Sequence, residues 1–194
     1  EKYKPKCLNE LIISTQTLTK FKKWISDFKK NEPKTPNCLF LYGPSGIGKT
    51  TIASLILKEY NYESIELNSS EYRTSKMIKE KMKNILEKKN VLNMFKKIER
   101  ETGIIMDEID GLTLGERSGL SELLKIIFPK KNDIKKSKHK PYKYRYLTKN
   151  PFICISNTLD KKILELMELC DKLFWIMQRF FLKIFARKKF TFPS

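Results

Sequence analysis

Residues 38 to 51 read CLFLYGPSGIGKTT, and the reading of the whole chain turns on them. An apolar run from Cys38 to Tyr42 enters Gly43-Pro44-Ser45-Gly46-Ile47-Gly48-Lys49-Thr50, and an apolar helical pattern starts at Ile52. Strand, glycine-rich loop and helix in that order make a phosphate-binding loop. The glycines let successive backbone N–H groups point into one concavity, and the helix that follows presents its positive end. Lys49 is the candidate for the outer phosphates, Thr50 offers a hydroxyl to magnesium, and the backbone from Gly43 to Thr51 forms the cradle. The expected ligand is a magnesium nucleoside triphosphate. An ordinary glycine-rich turn would need neither Lys49 nor Thr50.

Further along, the sequence alternates between strand and helix patterns. Apolar residues at helical spacing mark a helix from Thr17 to Lys30, ahead of the first core strand, and YESIEL at 62–67 alternates like a strand. Ile78, Met82, Ile85 and Leu86 mark a helix, a short one is expected from about Leu92 to Glu101, and GIIMD at 103–107 is an apolar strand. Leu120, Leu123, Leu124 and Ile127 fall on one helical face, 152–156 is another buried strand, and Asp160 is placed to cap a helix carrying Ile163, Met167 and Cys170 inward. The expected fold is an α/β parallel sheet with helices on both faces.

A phosphate-loop enzyme needs a carboxylate for its metal and a group that orients water, both at strand ends beside the loop. The stretch GIIMDEID supplies Asp107 for the metal side and Glu108 for polarising an attacking water. Asn157, at the tip of FICIS, would lie near the terminal phosphate if its strand ran between the loop strand and the acidic strand. An asparagine at a strand end also serves as a plain turn residue, and spacing does not separate the two roles.

The formal net charge of +18 is concentrated in three segments: 1–31 carries +5, 130–149 carries +8 and 178–194 carries +5. A near-neutral body with basic additions suits an anionic surface partner, nucleic acid before membrane, although a lysine-rich composition alone also raises the charge. Four well-separated cysteines without a CxxC pair, and one histidine, suit a reducing compartment without disulfides or zinc. The amino terminus lacks the apolar core of a secretory signal and no stretch is long enough to span a membrane, so a soluble intracellular protein is expected. The chain opens on Glu1, as a fragment of a longer product would.

These motifs together resemble the AAA+ clamp-loader ATPases, and among them the large subunit of replication factor C. The resemblance begins at EKYKP, continues through the phosphate loop, YESIELNSSEYRTSK and IIMDEIDGL, and ends near FICISN. It implies an ATPase core over 1–177 with a five-stranded parallel sheet in the order 5-1-4-3-2, and ATP and Mg2+ as ligands. It places Tyr3 and Pro5 near the adenine and makes Asn157 the first sensor. Implied partners are other AAA+ clamp-loader subunits in a hetero-oligomeric ring, a sliding clamp and primer–template DNA, in the nucleus or another site of DNA replication. DNA phosphates would be met by Arg73, Thr74, Ser75 and Lys76, and by Arg117 and Ser118; for Lys76, Lys79 and Lys83 a solvated helix face is the other reading.

The chain departs from the family at two places. It lacks the Ser-Arg-Cys segment that gives small subunits an arginine finger, as large subunits do, so it would receive a finger from a neighbour. Residues 178–194, with five phenylalanines and no acidic residue, do not resemble the family's helical lid or supply its second sensor arginine, for which Arg179 is the one stand-in. The insertion at 129–150 interleaves lysines with Tyr142, Tyr144 and Tyr146; it reads either as a solvated loop or as a DNA-binding one. Rival readings are a nucleotide kinase, another AAA+ replication ATPase of the origin-recognition or checkpoint clamp-loader type, and a non-hydrolysing remnant that binds nucleotide or DNA.

Overall fold

Successive residues of a strand point to opposite faces, and here both faces of the sheet's centre are covered, which is why the central strands read as unbroken apolar runs. The computed structural model describes residues 5–11, 13–68, 74–82, 85, 101–113, 119–128 and 150–174. Five strands, β1 (Cys38–Tyr42), β2 (Tyr62–Asn68), β3 (Glu101–Asp107), β4 (Phe152–Ser156) and β5 (Asp171–Phe174), form one sheet. Their order is β2-β3-β4-β1-β5, with every pairing parallel. Read from the other edge, this is the expected 5-1-4-3-2.

Cys38 and Phe40 of β1 point to one face with Ile104, Met106, Phe152 and Cys154. There they meet Ile78 and Met82 of helical residues 75–82, and helices α3 (Gly119–Ile127) and α4 (Lys161–Leu169). Leu39 and Leu41 point to the other face with Ile105, Ile153 and Ile155. That face is covered by α1 (Thr15–Lys29), through Phe21, Trp24 and Ile25, and by α2 (Lys49–Glu59), through Ile52, Ala53, Ile56 and Leu57. The central strands β1, β3 and β4 are thus buried on both sides, as crossover helices require, whereas the edge strand β2 keeps Glu63 and Glu66 exposed.

The strand that matters most for the site is β4, inserted between β1 and β3. Its first residue is fixed on both sides: Phe152 N donates to Asn37 O at 2.9 Å, and Ile104 N donates to Pro151 O at 2.9 Å. Helix α1 is joined to the far end of α2 by the Lys22–Glu59 ion pair at 2.8 Å, and Tyr60 Oη donates to Lys22 O at 3.2 Å. Trp24 Nε1 donates to Pro36 O at 3.0 Å, so the proline-rich joint before β1 is held by the helix that precedes it.

Several boundaries differ from the sequence reading. Helix α1 starts two residues earlier than Thr17, because Ser14 Oγ accepts from Thr17 N at 3.2 Å and caps it. Glu101 opens β3 instead of ending a helix, since it pairs in register with Tyr62. Asp160 does occupy the N-cap of α4, but its carboxylate makes no cap hydrogen bond; its carbonyl accepts from Leu164 N. Leu124 is only half-buried, whereas Glu122, a charge in the same turn, is 3 % exposed. Its carboxylate meets Lys79 Nζ at 3.2 Å and Lys125 Nζ at 3.8 Å, so the burial of one charge fixes α3 against residues 75–82. Leu86, the rest of the helix expected near 92–100, and the basic segments 129–149 and 178–194 lie outside the described residues. Among the described residues no helix is long and apolar enough to cross a membrane.

Candidate functional site

The site lies at the carboxyl ends of β1, β3 and β4, where a parallel sheet leaves its strand tips free to carry function. From β1 the backbone enters the loop and turns left-handed at Gly46 (φ +75) and at Gly48 (φ +85). A Cβ added at either glycine meets nothing within 4 Å, so it is the backbone conformation, and not crowding by protein, that requires glycine there. Gly48 is also the N-cap of α2 and contributes no side chain. The first intrahelical bond runs from Ile52 N to Gly48 O at 3.0 Å. The N–H groups of Lys49, Thr50 and Thr51 therefore stand in the first turn without an intrahelical acceptor, which is the form of an anion cradle.

Lys49 is 5 % exposed, and its ammonium donates to Gly43 O at 2.8 Å, Pro44 O at 2.7 Å and Asn157 Oδ1 at 2.7 Å. Each of its three protons has an acceptor. Burial pulls the Lys49 pKa below the ordinary lysine range, and the carboxylates of Asp107 and Asp110 oppose that pull. Thr50 Oγ1 donates to Asp107 Oδ2 at 2.5 Å. Donation to the carboxylate leaves the hydroxyl's lone pairs available to a cation.

Asp107 ends β3, and its other oxygen accepts from Glu108 N at 2.8 Å. Glu108 is exposed and sits at φ 53, a left-handed conformation that glutamate rarely adopts. The strain turns the chain into the short 3-10 helix Ile109–Thr113, where Gly111 N donates to Glu108 O at 2.9 Å. The hard oxygen pair of Thr50 and Asp107, next to an amide cradle, suits a magnesium ion that takes one or two protein ligands and completes its shell from phosphates and water. Among the described residues no group of three or more His, Cys, Asp or Glu side chains forms an all-protein metal site.

The structure therefore brings Lys49 onto Asn157 and, one residue along the chain, Thr50 onto Asp107, with Glu108 N bonded to Asp107. Pro44, Ser45 and Gly46 are exposed around the loop, whereas Ile47 packs against the α1–α2 face of the core. Pro5 is half-buried at the start of the described chain; Tyr3, Arg73, Arg117 and Ser118 lie outside the described residues. Thr74 is exposed, and its hydroxyl accepts from Met77 N at 3.4 Å, a cap for its own helix. Ser75 and Lys76 begin that helix, and Lys79 is paired with Glu122. Two residues passed over by the sequence reading belong beside the site: Ser156 is completely buried, and its Oγ reaches Asp110 Oδ1 at 3.3 Å. Their signal was present as a hydroxyl one residue before Asn157 and an acidic residue three positions after Asp107.

A loop lysine held by the polar tip of the strand between the loop strand and the acidic strand places this protein among the phosphate-loop nucleoside triphosphatases. Residues 39–178 match the model of the family described as "ATPase family associated with various cellular activities (AAA)". The chain belongs to that family, and nucleotide binding comes with membership. It is 34% identical over 135 residues to the replication factor C large subunit of Methanococcus aeolicus, covering 69% of this chain and 27% of that protein. To replication factor C subunit 1 of Drosophila melanogaster it is 30% identical over 152 residues, 66% of this chain and 15% of the relative. The chain thus spans about a quarter of the archaeal relative's length. Among solved structures, a DNA replication initiation factor gives a TM-score of 0.55 at 18% identity, covering 97% of this chain and 54% of that one. The C. elegans PCH-2 structure gives 0.50 at 18% identity, covering 82% and 43%; both likenesses are of fold alone.

Proposed function

We propose that this chain is the ATP-hydrolysing core of a replication factor C large subunit, acting in a clamp loader that places a sliding clamp on primer–template DNA inside the cell. The observation that carries the chemistry is the Lys49–Asn157 contact at 2.7 Å beside the Thr50–Asp107 pair, which gathers the loop, the acidic strand and the sensor strand at one point. The clamp-loader assignment rests on similarity to replication factor C large subunits.

In this reading Lys49 binds the outer phosphates, and the N–H groups of the loop and of the first turn of α2 hold their oxygens. Thr50 and Asp107 would hold Mg2+, which when bound would supply positive charge to the phosphate oxygens. Glu108 polarises the attacking water, and the Asn157 amide orients that water or the terminal phosphate. An arginine finger comes from a neighbouring subunit. Pro5, with Tyr3, lies toward the adenine. Lys76 and Ser75, with Arg73, Arg117 and Ser118, meet DNA phosphates without reading sequence. Residues 1–177 form the ATPase unit, and 178–194 stand in the place of the lid.

The test combines nucleotide binding with turnover in the presence of small clamp-loader subunits, clamp and primer–template DNA. Lys49→Ala is expected to weaken ATP binding by about 10- to 100-fold, the worth of a charge-assisted hydrogen bond to phosphate. Glu108→Gln should keep binding and lower kcat by about 100-fold or more. Retained turnover in Glu108→Gln removes Glu108 from its role. ATP binding without turnover by the unmodified assembly favours the non-hydrolysing remnant instead.

A further inference from the structure

The tip of β4 carries a second set of hydrogen bonds, made by Ser156. Ser156 Oγ donates to Thr158 O at 2.6 Å and accepts from Thr158 N at 3.3 Å, closing a turn that has Asn157 at its apex. The same hydroxyl lies 3.3 Å from Asp110 Oδ1, so its single proton is shared between a near carbonyl and a more distant carboxylate. Asp110 is itself immobilised, because Ile109 and Leu112 on either side of it are completely buried. It follows Glu108 by two residues and shares its turn through the Gly111 N to Glu108 O bond.

We propose that Ser156 and Asp110 are positioning residues: they brace the tip of β4 against the end of β3, so that Asn157 and Glu108 are held at a fixed separation around the Lys49 ammonium. Neither side chain touches the reacting atoms in this assignment. Ser156 sets the turn that aims Asn157, and Asp110 ties that turn to the segment bearing Glu108. The Asp110 carboxylate also opposes the downward pull of burial on the Lys49 pKa. The inference rests on reading this site as an ATP-hydrolysing one.

The test uses Ser156→Ala, Asp110→Ala, Asp110→Asn and the double alanine variant, each assembled with its partner subunits and first checked for an unchanged thermal midpoint. Each single alanine variant is expected to lower kcat by about tenfold with the Kd for ATP changed by less than about threefold, as small misplacements of reacting groups do. The double variant should lose less than the product of the two single losses, because both changes break the Ser156–Asp110 connection. Asp110→Asn keeps an acceptor for the hydroxyl and should recover most of the lost turnover. Independently of turnover, amide hydrogen exchange across 156–158 should quicken several-fold in Asp110→Ala and not in Asp110→Asn. The brace is overturned if exchange and kcat are unchanged in Asp110→Ala, if the losses multiply in the double variant, or if Asp110→Asn is as impaired as Asp110→Ala. If the unmodified assembly binds ATP without hydrolysing it, the hydrolytic reading fails, while the exchange measurement still decides whether the brace exists.

Discussion

Glu108 occupies a left-handed backbone conformation that a side chain makes costly, and it does so where β3 must turn sharply after Asp107. A glycine would sit there without strain. Glu108→Gly should therefore be more stable than Glu108→Ala by about 1 kcal/mol, since both lose the carboxylate and only one keeps the strained Cβ. Equilibrium urea unfolding of the two variants checks it; equal stabilities would mean that the turn relaxes in the folded protein. The same residue is proposed to polarise water, so stability is given up where the reaction needs a carboxylate at a fixed angle. Lys49 shows the related compromise of a charge: it is buried, and its charged form depends on Asp107, Asp110 and three aligned acceptors.

At the scale of elements, the position of α2 decides where the phosphate loop sits, and β3 meets that helix closely at Gly103. A Cβ built there lies 2.5 Å from Leu57 Cδ2 and 2.7 Å from Cδ1, so the strand backbone fits against α2 only because residue 103 has no side chain. Gly103→Ala must push Leu57 aside, and is expected to destabilise the fold by about 1–3 kcal/mol and to weaken nucleotide binding through the displaced helix. Adding Leu57→Ala relieves the clash, so the double variant should lose less than the sum of the two single changes, read from a denaturation cycle. A second meeting of elements gives a pH signature at the start of β2. Tyr62 is paired in register with Glu101, and its phenol pKa is raised by burial, by the Glu101 charge and by a hydrogen bond to Glu101. The folded state then keeps this proton at pH values where the unfolded chain has released it. Its stabilising contribution is complete below the ordinary tyrosine pKa and falls as pH rises above it. The drop in melting temperature between pH 9 and pH 11 should be smaller for Tyr62→Phe; an equal drop would place the alkaline loss elsewhere.

The three central strands were legible in the sequence for a physical reason: a parallel strand buried on both faces is a short apolar run, and each was bounded by turn or acidic residues. The site was legible through Lys49, Thr50, Asp107 and Glu108 because their spacing is chemical. Asn157 was an open choice until β4 was seen between β1 and β3, where strand order and not local sequence puts its amide on Lys49. Glu122 and Gly103 were not legible. Their roles come from residues distant in the chain, and no periodicity signals that a carboxylate will be buried against Lys79 or that a glycine faces Leu57.

For the whole molecule, charge divides between an ATPase core close to neutral and the three basic segments that carry the excess. Segment 130–149 alone holds nine Lys and Arg against one Asp, and the described partners of Lys49 and Thr50 all come from outside it. Changing those nine residues to glutamine should leave ATP affinity unaltered, because the three acceptors of the Lys49 ammonium and the Thr50–Asp107 pair all lie outside the segment. Affinity for primer–template DNA should fall, and the plot of log Kd against log salt should become shallower by about 0.9 for each phosphate no longer neutralised. The change in slope separates two roles that a single affinity would merge. A shallower slope means that lysines of the segment displace counterions at the DNA; an unchanged slope with unchanged affinity assigns the charge to solvent and leaves DNA binding to the helix beginning at Ser75 and Lys76.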